Sequence, residues 1–350
     1  MAYRFKLEQS IGKGFRRVGL EQIDHALTRL GAKPAEQEVA VHDVRKCMKR
    51  LRALLRLARG SVGEARFERE NARFRDVAQL LAATRQRHVL EATLVALAAT
   101  EPGPGSALGE AIAGARRALQ AGDESTALPP EAIGRARKQL VAGRRAFDRL
   151  QLAGKGIGAL EDGLRRSYAS ARKALATAYA SPCDESFHEL RKHVQHHWRH
   201  MLLLRRAWPE VLGARAAAAR ELSQALGDDH DLADLIAFLE GLPARALPPA
   251  KSRLILEAAR ARQAELRELA RYRGEQLLAE EPRAFVARIA AYWRHGRDHR
   301  RALAARSASA PRAASGPTER RRLSPDAPAA TAAAASRRGP RAKPRGEMDH

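Results

Sequence analysis

Cysteine is nearly absent: Cys47 and Cys183 are the only two in 350 residues. Two thiols build neither a disulfide framework nor a four-cysteine zinc site, so buried, reduced thiols are expected. Aromatic residues amount to 5%, which leaves few of the stacking platforms that single-strand nucleic-acid binders offer. No run of β-branched or aromatic residues alternates as a strand would. No apolar run approaches the roughly 18 residues of a membrane span. The opening Tyr3-Arg4-Phe5-Lys6 begins a mixed polar segment rather than a signal peptide. Acidic residues are also short in supply, 40 against 64 Lys and Arg, for a net charge of +24. A cytoplasmic protein with no membrane partner is expected, one whose self-repulsion calls for a polyanion.

What the chain has in quantity is Ala, Leu, Arg and Glu, with 45% hydrophobic residues, enough to bury a core. Apolar residues recur at spacings of three and four, which predicts an all-α fold. Helices are expected near 7–30, 35–59, 63–100, 105–121, 130–152, 157–180, 184–207, 210–240, 248–280 and 282–300. Their breaks fall at Gly and Pro, as in Glu101-Pro102-Gly103-Pro104-Gly105 and Leu247-Pro248-Pro249. The helical domain is expected over 1–302, its halves meeting near residue 150. An Ala-, Pro- and Arg-rich tail over 303–350 lacks the apolar residues to offset chain entropy and is expected to be disordered. It serves either solubility or as an added electrostatic tether.

The chain repeats itself. Val41-His42-Asp43-Val44-Arg45-Lys46 and Phe187-His188-Glu189-Leu190-Arg191-Lys192 share one pattern, apolar-His-acid-apolar-Arg-Lys. The segment Arg75-Asp76-Val77-Ala78-Gln79-Leu80 likewise matches Arg220-Glu221-Leu222-Ser223-Gln224-Ala225 at almost the same offset. Two related halves, packed about a pseudo-twofold axis, are the architectural expectation. Successive helical residues turn by about 100°, so His42, Arg45, Lys49, Arg52 and Arg56 share an arc of about 80°, with Lys46 about 40° to the other side. Val44, Met48, Leu51 and Leu55 take the opposite face. In the second half His188, Arg191, Lys192, Arg199 and Arg206 form a sparser stripe over Leu190, Val194, Met201 and Leu204. A charge run is ordinarily a solvated face. Here few acids sit at i+4 to relieve repulsion, Arg predominates, whose planar fork suits phosphate oxygens, and the arrangement occurs twice.

At these residues the sequence resembles the CHAD family, the conserved histidine α-helical domains. His42, Arg45, Lys49, Arg50 and Arg52 fit its basic pattern in the first half; His188, Arg191 and Lys192 fit in the second. There Gln195 stands where Lys is usual and Arg199 where Tyr is common. Gly163-Leu164-Arg165-Arg166-Ser167-Tyr168, followed by Arg172-Lys173, is similar to the stretch before the family's second His. Leu226-Gly227-Asp228-Asp229-His230-Asp231 is similar to its Leu-Gly-x-x-x-Asp segment, whereas Leu81-Ala82-Ala83-Thr84-Arg85-Gln86 lacks the Gly and the Asp. The resemblance covers about residues 1–300. It implies two pseudosymmetric helical bundles with a basic groove or pore between them, polyphosphate binding without catalysis or cofactor, and association with polyphosphate granules. The expected phosphate contacts are His42, Arg45, Lys46, Lys49, Arg52, Arg56, His188, Arg191, Lys192 and Arg199, then Arg165, Arg166, Arg172 and Lys173.

Other chemistries compete. Nucleic-acid binding is permitted by the net charge, but no recognition module such as a zinc finger is visible. His42-Asp43 and His230-Asp231 resemble the pair of a metal-dependent phosphohydrolase, yet the first heads a basic stripe where a catalytic metal prefers carboxylates. Asp228, Asp229 and Asp231 are expected to cap a helix. His193, His196, His197 and His200 contain two i, i+4 pairs of the kind that hold zinc, without an acidic or Cys partner nearby. No Glu-x-Glu-x-Lys motif marks an accompanying triphosphate-tunnel enzyme.

Overall fold

A computed structural model of the chain describes residues 3–33, 36–81, 86–99, 106–121 and 129–309. Every regular element among them is helical: α1 (Ile11–Arg29), α2 (Gln37–Leu57), α3 (Arg59–Val62), α4 (Glu64–Leu80), α5 (Gln86–Ala98), α6 (Ala107–Ala121), α7 (Pro130–Asp148), α8 (Gly158–Ala180), α9 (Asp184–Leu204), α10 (Pro209–Glu240), α11 (Pro249–Leu277) and α12 (Pro282–Ser309). The starts follow local chemistry. Ser10 caps α1 by accepting from the Lys13 amide at 3.3 Å. Proline opens α7, α10, α11 and α12, where its missing N–H has no helical partner to lose.

Helices α1, α2, α4 and α7 pack in a ring, and α8, α9, α10 and α11 pack in succession. In the first ring Phe147 stacks on Phe15 at 5.2 Å and tilts against Phe74 at 6.0 Å. The apolar face of α2 is buried as its spacing predicts, with Val44, Met48, Leu51 and Leu55 inside. So are Leu190, Val194, Met201 and Leu204 of α9.

Several expectations need correction. The two halves pack on each other. One continuous core joins residues of both, from Phe15 and Leu51 to Leu190 and Trp293. Helices α5 and α6 leave the first half and pack on α10 and α11, where Leu94, Ile112, Leu235 and Ile255 form a second core. A helix cannot bury its own apolar stripe, so these two are covered by α10 and α11 of the other half. The helix expected over 63–100 is two, α4 and α5, and residues 82–85 between them lie outside the described residues. Helix α12 runs to Ser309, past the expected tail start at 303; the rest of that tail lies outside the described residues. Cys47 is buried as expected, but Cys183 is exposed. Among the described residues no helix is long and apolar enough to cross a membrane.

The N-terminal segment stitches the parts that carry the basic stripes. Tyr3, Phe5 and Leu7 are buried. The Tyr3 hydroxyl donates to the Arg50 carbonyl at 2.8 Å, and the Phe5 amide donates to the Leu203 carbonyl at 2.9 Å. Gly163 explains how α8 fits beneath α2. A β-carbon there would collide with the carbonyl oxygens of Arg56 and Leu57, so only glycine admits this approach.

Candidate functional site

Helices α2 and α9, which carry the two basic stripes, pack directly on one another. At the crossing His200 is fully buried and its Nε2–H donates to the Ala53 carbonyl at 2.9 Å. Burial, reinforced by the charges of Arg56 and Arg199, pushes its pKa down to about 4, although the bond to Ala53 works the other way.

Along one side of this crossing lie Arg52, Arg56 and Arg59. Arg56 is half-buried; burial first, then the charges of Arg52 and Arg59, push its pKa down to about 10, against the pull of Glu189. Its Nε is buried and has no hydrogen-bond partner among the described residues. Arg52 donates to the Asn71 carboxamide at 3.1 Å, and its pKa is lowered by burial and by the charge of Arg75 on α4. His193 and His196 look onto the same group: burial holds both below the usual histidine value, and Arg56 lowers them further. Arg52 and Arg56 are thus like charges in restricted solvation, while Arg59 beside them pairs with Glu64 and is held charged by it.

The other side of the crossing holds Arg50, Arg191 and Arg199. Arg199, expected as a phosphate contact, is buried instead, 8% exposed. It donates to the Gln195 carbonyl at 2.8 Å and lies 5.1 Å from the Trp198 ring centre. Burial, with Arg50 and Arg191 nearby, pushes its pKa down to about 10, against the opposing influence of Tyr3. A cation so enclosed acts on a ligand through its field rather than by touching it.

The remaining expected contacts divide by position. Arg45 donates to the Ala78 carbonyl at 2.7 Å, in the last turn of α4, where helical carbonyls lack amide partners. Lys46 is exposed and Lys49 half-buried on the stripe. His188 packs against His230 of α10, ring centres 4.4 Å apart. Arg191 lies against Gly227, where a β-carbon would stand 3.5 Å from its guanidinium. Lys192 pairs with Glu189. Arg165 and Arg166 both bind Asp162 at 2.8 Å, and Arg172 binds Glu281 at 2.6 Å. Lys173 is exposed on α8.

The acidic segment of α10 corrects a second expectation. Asp228, Asp229 and Asp231 cap nothing, because α10 runs unbroken from Pro209 to Glu240. Asp229 is buried and accepts from Arg267 Nε at 2.7 Å, while Arg267 also reaches Asp184 at 2.5 Å, so one guanidinium ties α11 to α10 and α9. Of the histidines considered for zinc, His197 is buried and accepts from Arg215 Nε at 3.2 Å, and His200 serves Ala53. Among the described residues no group of three or more His, Cys, Asp or Glu is placed to hold a metal ion.

A cavity of about 670 Å³ opens at the head of α2, between α5, α10 and α11. Glu38, His42, Arg45, His88, Asp228, Asp231 and Arg262 line it, together with an apolar wall that includes Val89 and Leu232. Sequence reasoning missed this mixed character because α5 and α11 come from opposite halves. It also missed Arg59 and Arg75. Arg75 carried a signal, since it heads the second repeated segment, but its approach to Arg52 is a tertiary contact.

A family model described as CHAD domain matches residues 18–240. No curated protein matches the chain. Among solved structures, PptA from Streptomyces chartreusis is similar, at 17% sequence identity and a TM-score of 0.48, over 78% of this chain and 100% of that one.

Proposed function

Because the chain belongs to the CHAD domain family, we propose that it binds inorganic polyphosphate along the crossing of α2 and α9 and catalyses no reaction on it. Association with polyphosphate granules in the cytoplasm follows from that reading, as does a pseudo-twofold relation between the two basic helices. The observation that carries it is the pair Arg52 and Arg56, two guanidinium groups in restricted solvent, with Arg59 and Arg75 beside them held by Glu64 and Asp76. Their mutual repulsion is relieved by an anion, and a linear polymer with one charge per phosphate relieves several cations at once. Lys46, Lys49, His42, His188, Arg191 and Lys192 extend the contact, and Arg199 adds field from below. Arg165, Arg166 and Arg172 join only where phosphate displaces their carboxylate partners, and the exposed Lys173 joins from the same helix.

Polyphosphate has no bases to read, so phosphate contacts suffice. The test is a double variant, Arg52→Gln with Arg56→Gln, in a polyphosphate retention assay. Each charge-assisted bond is worth about 1.5–3 kcal/mol before desolvation, so affinity should fall at least about tenfold. Unchanged retention in a folded double variant would remove this group from the site. Arg45 is a poorer choice, since its bond to the Ala78 carbonyl makes its loss a change to the fold. The rival partner is nucleic acid. Duplex DNA of equal phosphate content should compete weakly, because a stiff double helix cannot bend its phosphates to follow the half-buried Arg52 and Arg56; easy displacement would favour the broader polyanion reading.

A further inference from the structure

Three histidines of α9 form a line toward α2. His193, His196 and His200 share an arc of about 60° on a helix that turns about 100° per residue. At the inner end His200 is buried and bonds the Ala53 carbonyl of α2. One turn out from Ala53 on α2 stands Arg56, and one turn out from His200 on α9 stands His196. The His196 ring therefore meets the Arg56 charge. The His193 ring follows, its centre 6.3 Å from that of His196 and set edge-on to it. Both rings are half-buried, so solvent protons and ligand oxygens still reach them. His200, sealed at the crossing with Nε2 committed to Ala53, has no such route.

Among the described residues, the charged or titratable groups that act on the outer pair, besides each other, are Arg56 of α2 and Glu189, Lys192, Arg199 and His200 of α9; α8 and α10, which also pack on α9, add none. Glu189, the carboxylate of this set, is paired with Lys192. In the free chain burial favours the neutral imidazoles, and the surrounding cations add to it. A phosphate chain seated on Arg56 reverses that balance. It offsets the guanidinium charge, and its own oxygens stabilise an imidazolium and accept its N–H. We infer that His193 and His196 take up protons from solvent when polyphosphate settles on Arg56, so that the grip on the polymer tightens as pH falls. This rests on the proposed polyphosphate path along the crossing of α2 and α9. Its sign follows from linkage: the complex holds protons that the free chain lacks, so acid favours the complex.

Titration calorimetry of the full chain with long-chain polyphosphate, run near pH 6.5 in two buffers of unlike ionisation heat, counts the protons taken up on binding. The wild type should show net uptake. Its affinity should rise at least about fivefold from pH 8 to pH 6, as linkage gives for one imidazole neutral in the free chain and charged in the complex. His193→Gln with His196→Gln should remove at least about half of the uptake, and should trail the wild type by more at pH 6 than at pH 8. Circular dichroism checks that the double variant folds; if it does not, each single variant carries a smaller part of the same loss. Binding without proton uptake in the wild type would overturn the inference and leave the polymer reading intact. A folded double variant that takes up as many protons as the wild type would overturn it too, and assign the protons to His42 and His188. Absence of binding at every pH would bring down the polymer reading and this inference with it.

Discussion

Single residues here are asked to be both buried and ionisable, and the histidine at the helix crossing shows what that entails. His200 keeps its ring neutral because burial and two arginines disfavour the cation. Its folded pKa, about 4, lies below the ordinary 6.5. The unfolded chain therefore binds a proton that the folded chain refuses between these values. The stabilising effect is present above pH 6.5 and is lost as pH falls toward 4, by about 3 kcal/mol in all from this one residue. His196 and His197 are held low for the same reason and act in the same direction. His200→Gln keeps a donor for the Ala53 carbonyl but has no proton to gain. Urea unfolding at pH 7 and pH 5 should show a smaller loss of stability in this variant than in the wild type. An equal loss would place the pH dependence elsewhere. Arg56 presents the complementary case. Removing its charge should leave stability of the free protein within about 0.5 kcal/mol, since the repulsion lost offsets the packing lost, while polyphosphate affinity drops. A thermal melt beside the binding assay separates the two.

At the scale of elements, the question is how closely helices approach. Gly163 brings α8 against the end of α2, and with it positions Arg56 and Arg59. Gly163→Ala places a methyl group into two carbonyl oxygens and should destabilise by about 1–3 kcal/mol, as overpacking does. The denaturation midpoint measures this; an unchanged midpoint would mean that the two helices separate freely. Gly227 has the milder role of letting Arg191 lie flat on α10. Both glycines sit in segments that the sequence marks out, yet neither reveals from sequence what presses against it. Asp229 shows the same limit. As one of three aspartates it reads as a cap, but its partner Arg267 comes from α11, 38 positions further on.

For the whole molecule, charge is the governing quantity. A net +24 repels itself, and the acids present are spent on pairs within one helix, such as Asp162 with Arg165 and Arg166, and between helices, such as Asp24 with Arg144. At the helix crossing Arg52, Arg56 and Arg199 are held in restricted solvation. Polyphosphate binding should then weaken steeply with salt, with log Kd rising against log salt by a slope of at least about 2, as counterion release requires for several phosphates. A slope near zero in a series from low to moderate salt would remove the electrostatic account.

The all-helical class, most helix boundaries to within a few residues and the buried face of α2 and α9 were legible in the sequence, because helical periodicity sorts apolar from charged residues without reference to any other segment; the break inside 63–100 and the end of α12 were not. The two basic stripes were legible for the same reason. Which cations end buried, paired or concentrated was not. Arg199 turned inward, Arg45 went to a carbonyl of α4, and Arg75 came alongside Arg52, all through contacts between residues far apart in the chain. Periodicity orients a side chain about its own helix axis, whereas desolvation and repulsion depend on what the neighbouring helix brings, and only the tertiary packing decides that.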